Sequence, residues 1–311
     1  MRRLIATALF VSVVGLVGIV AQVPAVIADV RKAIAANDFA LGDKLLASYR
    51  AANGVTPDML EALSWMGRGS LAAKQLDNAE KYARETYQLA TAELKRRKLD
   101  QEPRLPIALG AAIEVLAQTD AARGARTEAV VFLNREIETY GGTSIEKRLR
   151  KNLNLLSLEG RPAPAIDVSE YLGAKPPTVA ELKGKPVLMF FWAHWCGDCK
   201  AQSPILARLL DTYGPKGLVI FAPTQRFGYV AGGKTAPADE ETRYIDQTRQ
   251  NFYPVLLNQP VPIGEVNHMR YGVSTTPTLV LVDRAGIIRL YHPGRMTWEE
   301  LDPLVKSLVE S

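Results

Sequence analysis

Cys196 and Cys199 are the only cysteines in this 311-residue chain, and two residues separate them. Each therefore has only the other, or a partner molecule, to react with. The apolar run Val187 to Trp192 leads into the pair and reads as a buried strand. Ile205, Leu206, Leu209, Leu210 and Tyr213 follow at helical spacing and share one face. Both sulfurs are thus expected where a strand hands over to a helix N-terminus. The thiolate is the attacking species, and a free cysteine with a pKa of about 8.5 is mostly protonated near neutrality. Peptide N–H groups and the macrodipole at a helix start favour an anion there, which helps the first cysteine most. Cys196 is the expected nucleophile, and Cys199, one turn on and facing inward, resolves the mixed disulfide.

Other chemistries compete for the same pair. A structural disulfide across so short a loop constrains the unfolded chain little. A zinc site needs four ligands, and the chain adds only His194, His268 and His292. Inert buried thiols are poorly matched to a position directly after a tryptophan at a strand end.

Trp195-Cys196-Gly197-Asp198-Cys199-Lys200 after Phe191-Trp192-Ala193, with Pro204 five residues beyond the second cysteine, resembles a thioredoxin-fold protein. Gly160-Arg161-Pro162-Ala163-Pro164, Leu182-Lys183-Gly184-Lys185-Pro186-Val187, Tyr271 to Thr278 and Leu281 to Gly286 are together similar to the extracytoplasmic TlpA/ResA-like thiol-disulfide oxidoreductases. The similarity covers 158–311. It implies an α/β thioredoxin-like fold, a central mixed sheet flanked by helices, over 159–311. It also implies a cis Thr276-Pro277 bond facing the sulfurs, with Trp195, Gly197, Asp198, Thr276 and Pro277 contacting the client; the Thr276 backbone would pair with an extended client strand. The alternative from the residues alone is that Pro277 merely begins the strand Thr278 to Val282. Asp283 to Gly286 reads as a turn into a terminal hairpin strand, and Thr297 with Glu300 as a capping box.

Departures from the thioredoxin pattern bear on tuning. Asp198 stands where many thioredoxins carry proline. It either opposes ionisation of Cys196, with Lys200 offsetting part of the effect, or points to water at a helix start. Phe190 occupies the place of a buried aspartate, so proton traffic to Cys199 needs water, Asp198 or another group. His194 either assists a thiolate or is a surface histidine without a role.

Met1-Arg2-Arg3, the apolar stretch Leu4 to Val20 and the small-residue site Val26-Ile27-Ala28 follow the order of a secretory signal. Residues 1–28 are read as a signal peptide or an uncleaved N-terminal anchor, which puts the remainder outside the cytoplasm, periplasmic or secreted. A reductant there depends on an external electron source. A net charge of +5 spread along the chain, with no aromatic-plus-basic platform, argues against nucleic acid. The one basic cluster, Lys95 to Lys98, closes a helical pattern.

Residues 29–158 are alanine-rich and helical in period. Asn37 to Tyr49, Gln75 to Tyr87 and Ala125 to Tyr140 echo one another at spacings of about 37 and then about 50 residues, with Gln101 to Pro106 as an insertion. Stacked helix pairs of tetratricopeptide type, or an irregular helical bundle, account for this. Gly160 to Pro164 marks the junction. Thr224 to Ala238 is long for a loop in a compact domain and carries Phe227 and Tyr229; it is either a partner-recognition loop or a surface excursion.

The expected protein is an exported thiol-disulfide oxidoreductase that needs no cofactor. By the resemblance, its clients are proteins such as apocytochromes or copper-site assembly proteins, its donor is a membrane thiol protein, and it meets the membrane only through a possible N-terminal anchor. Two alternatives stay open: a helical-repeat scaffold with a redox-idle thioredoxin-like domain, and a thiol peroxidase.

Overall fold

The structure, a computed structural model, describes residues 23–177 and 179–310. Its first half is all helix: α1 (Ala25–Ala35), α2 (Phe39–Asn53), α3 (Pro57–Ala72), α4 (Leu76–Glu93), α5 (Leu105–Ala122), α6 (Arg126–Thr139) and α7 (Glu146–Ser157). Local chemistry sets the starts. The Asp38 carboxylate accepts the Leu41 N–H at 2.9 Å, and the Thr56 hydroxyl accepts the Met59 N–H at 3.2 Å with Pro57 just inside α3. The three echoing segments of the sequence are α2, α4 and α6. Their partners α1, α3, α5 and α7 lie side by side in a second layer. Although α5 is long and apolar enough to span a membrane, it is the core of this half, packed on α3, α4, α6 and α7. In the basic cluster, Arg96 and Arg97 pair with the buried Glu93 at the end of α4, and Arg97 also reaches Glu102.

Val26, Ile27, Val30 and Ala33 of α1 are buried at helical spacing, the first three in a core shared with Leu46, Met59, Leu63 and Met66. Cleavage after Ala28, the expected leader boundary, would strip Val26 and Ile27 from that core, so the boundary at 28 falls inside a packed helix. The rest of the expected leader, residues 1–22, lies outside the described residues.

The second half is α/β, with β1 (Tyr171–Gly173), α8 (Val179–Leu182), β2 (Val187–Phe191), α9 (Gly197–Tyr213), β3 (Val219–Phe221), α10 (Ala238–Phe252), β4 (Pro260–Pro262), α11 (Glu265–Arg270), β5 (Thr278–Val282), β6 (Ile288–Pro293) and α12 (Trp298–Glu310). Strands β3, β2, β5 and β6 lie in that order; β2 is parallel to β3 and antiparallel to β5, which is antiparallel to β6. This is the mixed thioredoxin-like sheet. Side chains alternate across β2: Leu188 and Phe190 enter the core beneath the cysteines, Val187, Met189 and Phe191 the core on the other face. β1 and β4 form a separate antiparallel pair. Thr297 and Glu300 make the reciprocal bonds of a capping box, at 2.8 and 3.3 Å, and α12 runs through Pro303.

The expected junction is tied down. Gly160 and Ala163 donate to the Ile288 and Gly286 carbonyls at 2.8 and 2.9 Å, extending the sheet edge, and Leu158 packs in the core of the α/β half. The two halves also meet along α7. Asn154 Nδ2 donates to the Tyr271 carbonyl at 2.8 Å, and Lys147 Nζ reaches Glu265 at 2.7 Å and Gln225 at 3.3 Å.

Candidate active site

Antiparallel pairing of Phe191 with Thr278 brings the chain leaving β2 and the chain entering β5 to the same end of the sheet. Cys196 therefore faces Thr276-Pro277, although the cysteine and Thr276 are 80 residues apart. The Thr276-Pro277 bond is cis, and the Cys196 sulfur lies 3.4 Å from the Thr276 carbonyl oxygen. Pro277 is buried and its carbonyl accepts the Gly294 N–H at 2.8 Å, while Thr276 is half-buried.

Cys196 is the N-cap of α9. Its sulfur accepts the Cys199 N–H at 3.1 Å, which places it at the positive end of a 17-residue helix. The two cysteines are disulfide-bonded with Cα atoms 5.2 Å apart. Cys199 is fully enclosed, whereas Cys196 keeps 4% exposure next to Trp195 at 51%. Of the two sulfurs, Cys196 is thus the outer and Cys199 the inner.

Gly197 and Asp198 are both exposed in the first turn of α9, so Asp198 faces water. The Lys200 ammonium sits 3.9 Å over the Phe252 ring. Phe190 is buried in the core that also holds both cysteines, its ring 6.2 Å from that of Tyr253. No carboxylate serves from that position.

His194 corrects the surface reading. It is buried, with Nε2 3.3 Å from Glu241 Oε1, and edge-on to Phe227, Tyr229 and Tyr244 at 5.6, 5.5 and 5.2 Å. Burial holds its pKa below the ordinary histidine value, with Glu241 and the Tyr229 backbone opposing the fall. Glu241, also buried, accepts the Phe227 and Gly228 N–H groups as well, at 2.5 and 2.8 Å. One carboxylate thus joins α10, the segment just before Trp195-Cys196 and the 224–238 loop. That loop is no loose excursion. Tyr229 bridges to Thr235, Arg226 pairs with Glu170, and the Phe227 ring lies edge-on 5.6 Å from Trp195.

Glu241 escapes a sequence reading because it ends the run Asp239-Glu240-Glu241, which looks like ordinary acids at a helix start. His268 escapes it too. It is buried, with its ring edge-on to Phe191 at 5.4 Å. A cavity of about 710 Å³ lies on the opposite face of the sheet, lined by Ile166, Leu182, Val187, Met189, Phe221 and Val282, away from the sulfurs.

Residues 177–308 match the family model of the thioredoxin-like domain. The thiol:disulfide interchange protein DsbE of Pseudomonas aeruginosa is 30% identical over 159 residues, 50% of this chain and 79% of that protein. The thiol-disulfide oxidoreductase ResA of Bacillus thuringiensis is 30% identical over 152 residues, 48% of this chain and 78% of that protein. Among solved structures, a thioredoxin-family thiol:disulfide interchange protein of Chlorobium tepidum is 21% identical with a TM-score of 0.35, covering 48% of this chain and 97% of that one.

Proposed function

Because this chain belongs to the thioredoxin-like thiol-disulfide oxidoreductases, we propose that Cys196 and Cys199 are its reacting pair and that they reduce disulfides in client proteins outside the cytoplasm. The observation that carries this is the placement of Cys196 Sγ at the start of α9, 3.4 Å from the Thr276 carbonyl and beside the exposed Trp195.

In the reduced enzyme the Cys196 thiolate attacks one sulfur of the client disulfide. A Cys196–client bond forms, the client S–S bond breaks, and the departing client thiolate takes up a proton. The Cys199 thiolate then attacks Cys196 Sγ, releases the second client thiolate and leaves the Cys196–Cys199 disulfide. Two electrons have passed to the client, and an external thiol donor resets the pair. Helix-end N–H groups stabilise the Cys196 thiolate for the first step; enclosure keeps Cys199 from reacting until the mixed disulfide brings a sulfur to it.

The client lies along Trp195, Gly197 and Asp198 on one side and Thr276-Pro277 on the other, with Phe227 and Tyr229 extending the wall beside Trp195. The signal-like order of residues 1–28 supports an extracytoplasmic site of action, by cleavage or by an N-terminal anchor. Resemblance to the TlpA/ResA group supports apocytochromes or copper-site assembly proteins as clients and a membrane thiol protein as donor. Residues 29–158 and 159–311 act as two domains, the helical one as a platform for the catalytic one.

Cys199→Ser should accumulate a covalent complex with client that reductant dissolves, while Cys196→Ser accumulates none. A trap formed by Cys196→Ser and not by Cys199→Ser would overturn the assigned order of attack. Wild-type insulin reduction by a Cys196→Ser/Cys199→Ser variant would overturn the pair itself.

A further inference from the structure

Two guanidinium groups lie over the Trp65 ring and make no ion pair among the described residues. Arg31 of α1 and Arg68 of α3 place their guanidinium carbons 4.5 and 3.9 Å from the centre of its ring. Among the described residues, neither has a carboxylate within ion-pair distance. The acids nearby are engaged with others: Glu61 with Arg104 at 3.1 Å, and Glu114 with Arg148, Lys151 and Asn152 at 2.8, 3.0 and 3.0 Å. Arg68 is half-buried, and burial together with the charges of Arg148 and Arg31 holds its pKa down despite Glu114 and Glu61.

These side chains form a row. Glu61, Trp65 and Arg68 are four and three residues apart and share one face of α3. Since α1, α3, α5 and α7 lie side by side, the row runs from Arg31 across α3 to Glu114 on α5 and to Arg148 and Lys151 on α7. Like charges gathered on a partly desolvated face oppose folding, and an arriving anion removes that opposition. Helices pack 8–10 Å apart, so the row spans about 25 Å, the reach of about eight extended residues.

We propose that this row is a docking groove for an acidic, extended segment of a partner protein, whose carboxylates pair with Arg31 and Arg68 and approach Arg148. A flat anionic membrane fits less well, because Glu61 and Glu114 interrupt the positive row and Trp65 and Arg68 are half-buried. Arg31 and Arg68 belong to α1 and α3 and the cysteines to the core of the α/β half, so a partner held there takes no part in the redox step.

The test uses the intact protein and a fluorescein-labelled octaglutamate peptide, followed by anisotropy in 50 mM salt, with an uncharged Gly-Ser octapeptide as control. Octaglutamate should bind saturably and the control should not, and the Arg31→Gln/Arg68→Gln variant should bind about tenfold more weakly or worse. Arg68→Lys should recover part of the loss. Arg68→Met should keep or raise the melting temperature, the reverse of what removing a structural residue does. Insulin reduction should be unchanged in all of them. Equal binding by the double variant, absence of saturable binding by the wild type, or a fall in melting temperature of Arg68→Met with binding intact would each overturn the proposal. Capture on phosphatidylglycerol vesicles that octaglutamate cannot compete would overturn it in favour of a membrane.

Discussion

Glu241 and His194 face each other at 3.3 Å with about 1% of either side chain exposed. A carboxylate so enclosed is tolerable only with its lone pairs occupied, and the Phe227 and Gly228 N–H groups occupy the remainder. The pair therefore acts as a clamp that fixes the 224–238 loop relative to the segment entering the cysteines.

Removing that carboxylate leaves two backbone donors and the Nε2 of a buried imidazole without their partner. Glu241→Ala should cost about 3 kcal/mol of stability in urea denaturation, and Glu241→Gln, which keeps one acceptor, should cost less. With the loop released, Phe227 no longer holds its place beside Trp195. KM for a protein client should rise several-fold while reduction of a small aromatic disulfide changes little. Equal effects on both substrates would show that the loop supports the active site and does not recognise clients.

His268 makes the fold acid-sensitive. Burial drives its pKa down to about 3, with the Lys147 charge adding to the fall and the Gly264 backbone opposing it. The sign follows from linkage. An unfolded histidine titrates near 6.5, so below that pH the unfolded chain binds a proton that the native chain refuses. Stability should thus fall as pH drops from about 6.5 toward 3, by about 1.4 kcal/mol per pH unit for this one group. His194, lowered in the same direction by burial, adds to the trend. His268→Leu should flatten the slope of unfolding free energy between pH 6 and 4. Superimposable slopes for wild type and variant would remove His268 from the account.

Local pattern made much of this protein legible, because its main elements are stabilised by contacts with regular spacing. Val187 to Phe191 is uniformly apolar, Thr278 to Val282 is apolar after its threonine, and both are strands. Cys196 was placed correctly at a helix start because a strand-to-helix switch is visible in periodicity alone. What stayed hidden depends on partners far along the chain. Glu241 reaches His194 across 47 residues and Asn154 reaches Tyr271 across 117, and no periodicity records either. The packing of α1 stayed hidden for a related reason. Val26-Ile27-Ala28 has the composition of a cleavage site, and only packing against Met59 and Met66 reveals two of its residues as core.

Glu114 ties α5 to α7. Burial acts to raise its pKa, but Arg148, Lys151 and Asn152 outweigh that and bring it to about 2. A carboxylate depressed in the folded state stabilises above its unfolded pKa of about 4.3 and loses that contribution as pH falls toward the folded value. Glu114→Gln should therefore cost about 3 kcal/mol at pH 7 and almost nothing at pH 2. A constant penalty across that range would mean that the loss is one of packing and not of charge.

Gly272 couples the helical half to the site. Its φ is +60°, and a Cβ there would sit 2.5 Å from the Lys151 nitrogen and 2.6 Å from the Arg150 carbonyl carbon. Both obstacles are backbone of α7, which cannot swing aside as a side chain can. With alanine, either α7 withdraws, breaking the 2.8 Å Asn154–Tyr271 bond and the 2.7 Å Lys147–Glu265 pair, or residues 272–277 shift and carry Thr276 away from Cys196. Gly272→Ala should lose about 3 kcal/mol of stability and most of its insulin reduction. Asn154→Ala, which deletes only the hydrogen bond, should cost about 1 kcal/mol and leave the rate unchanged. If Gly272→Ala instead unfolds in two separated steps with full reductase activity, α7 has withdrawn and the catalytic half works without it. Wild-type stability and activity together would show that the contact between Gly272 and α7 carries no coupling.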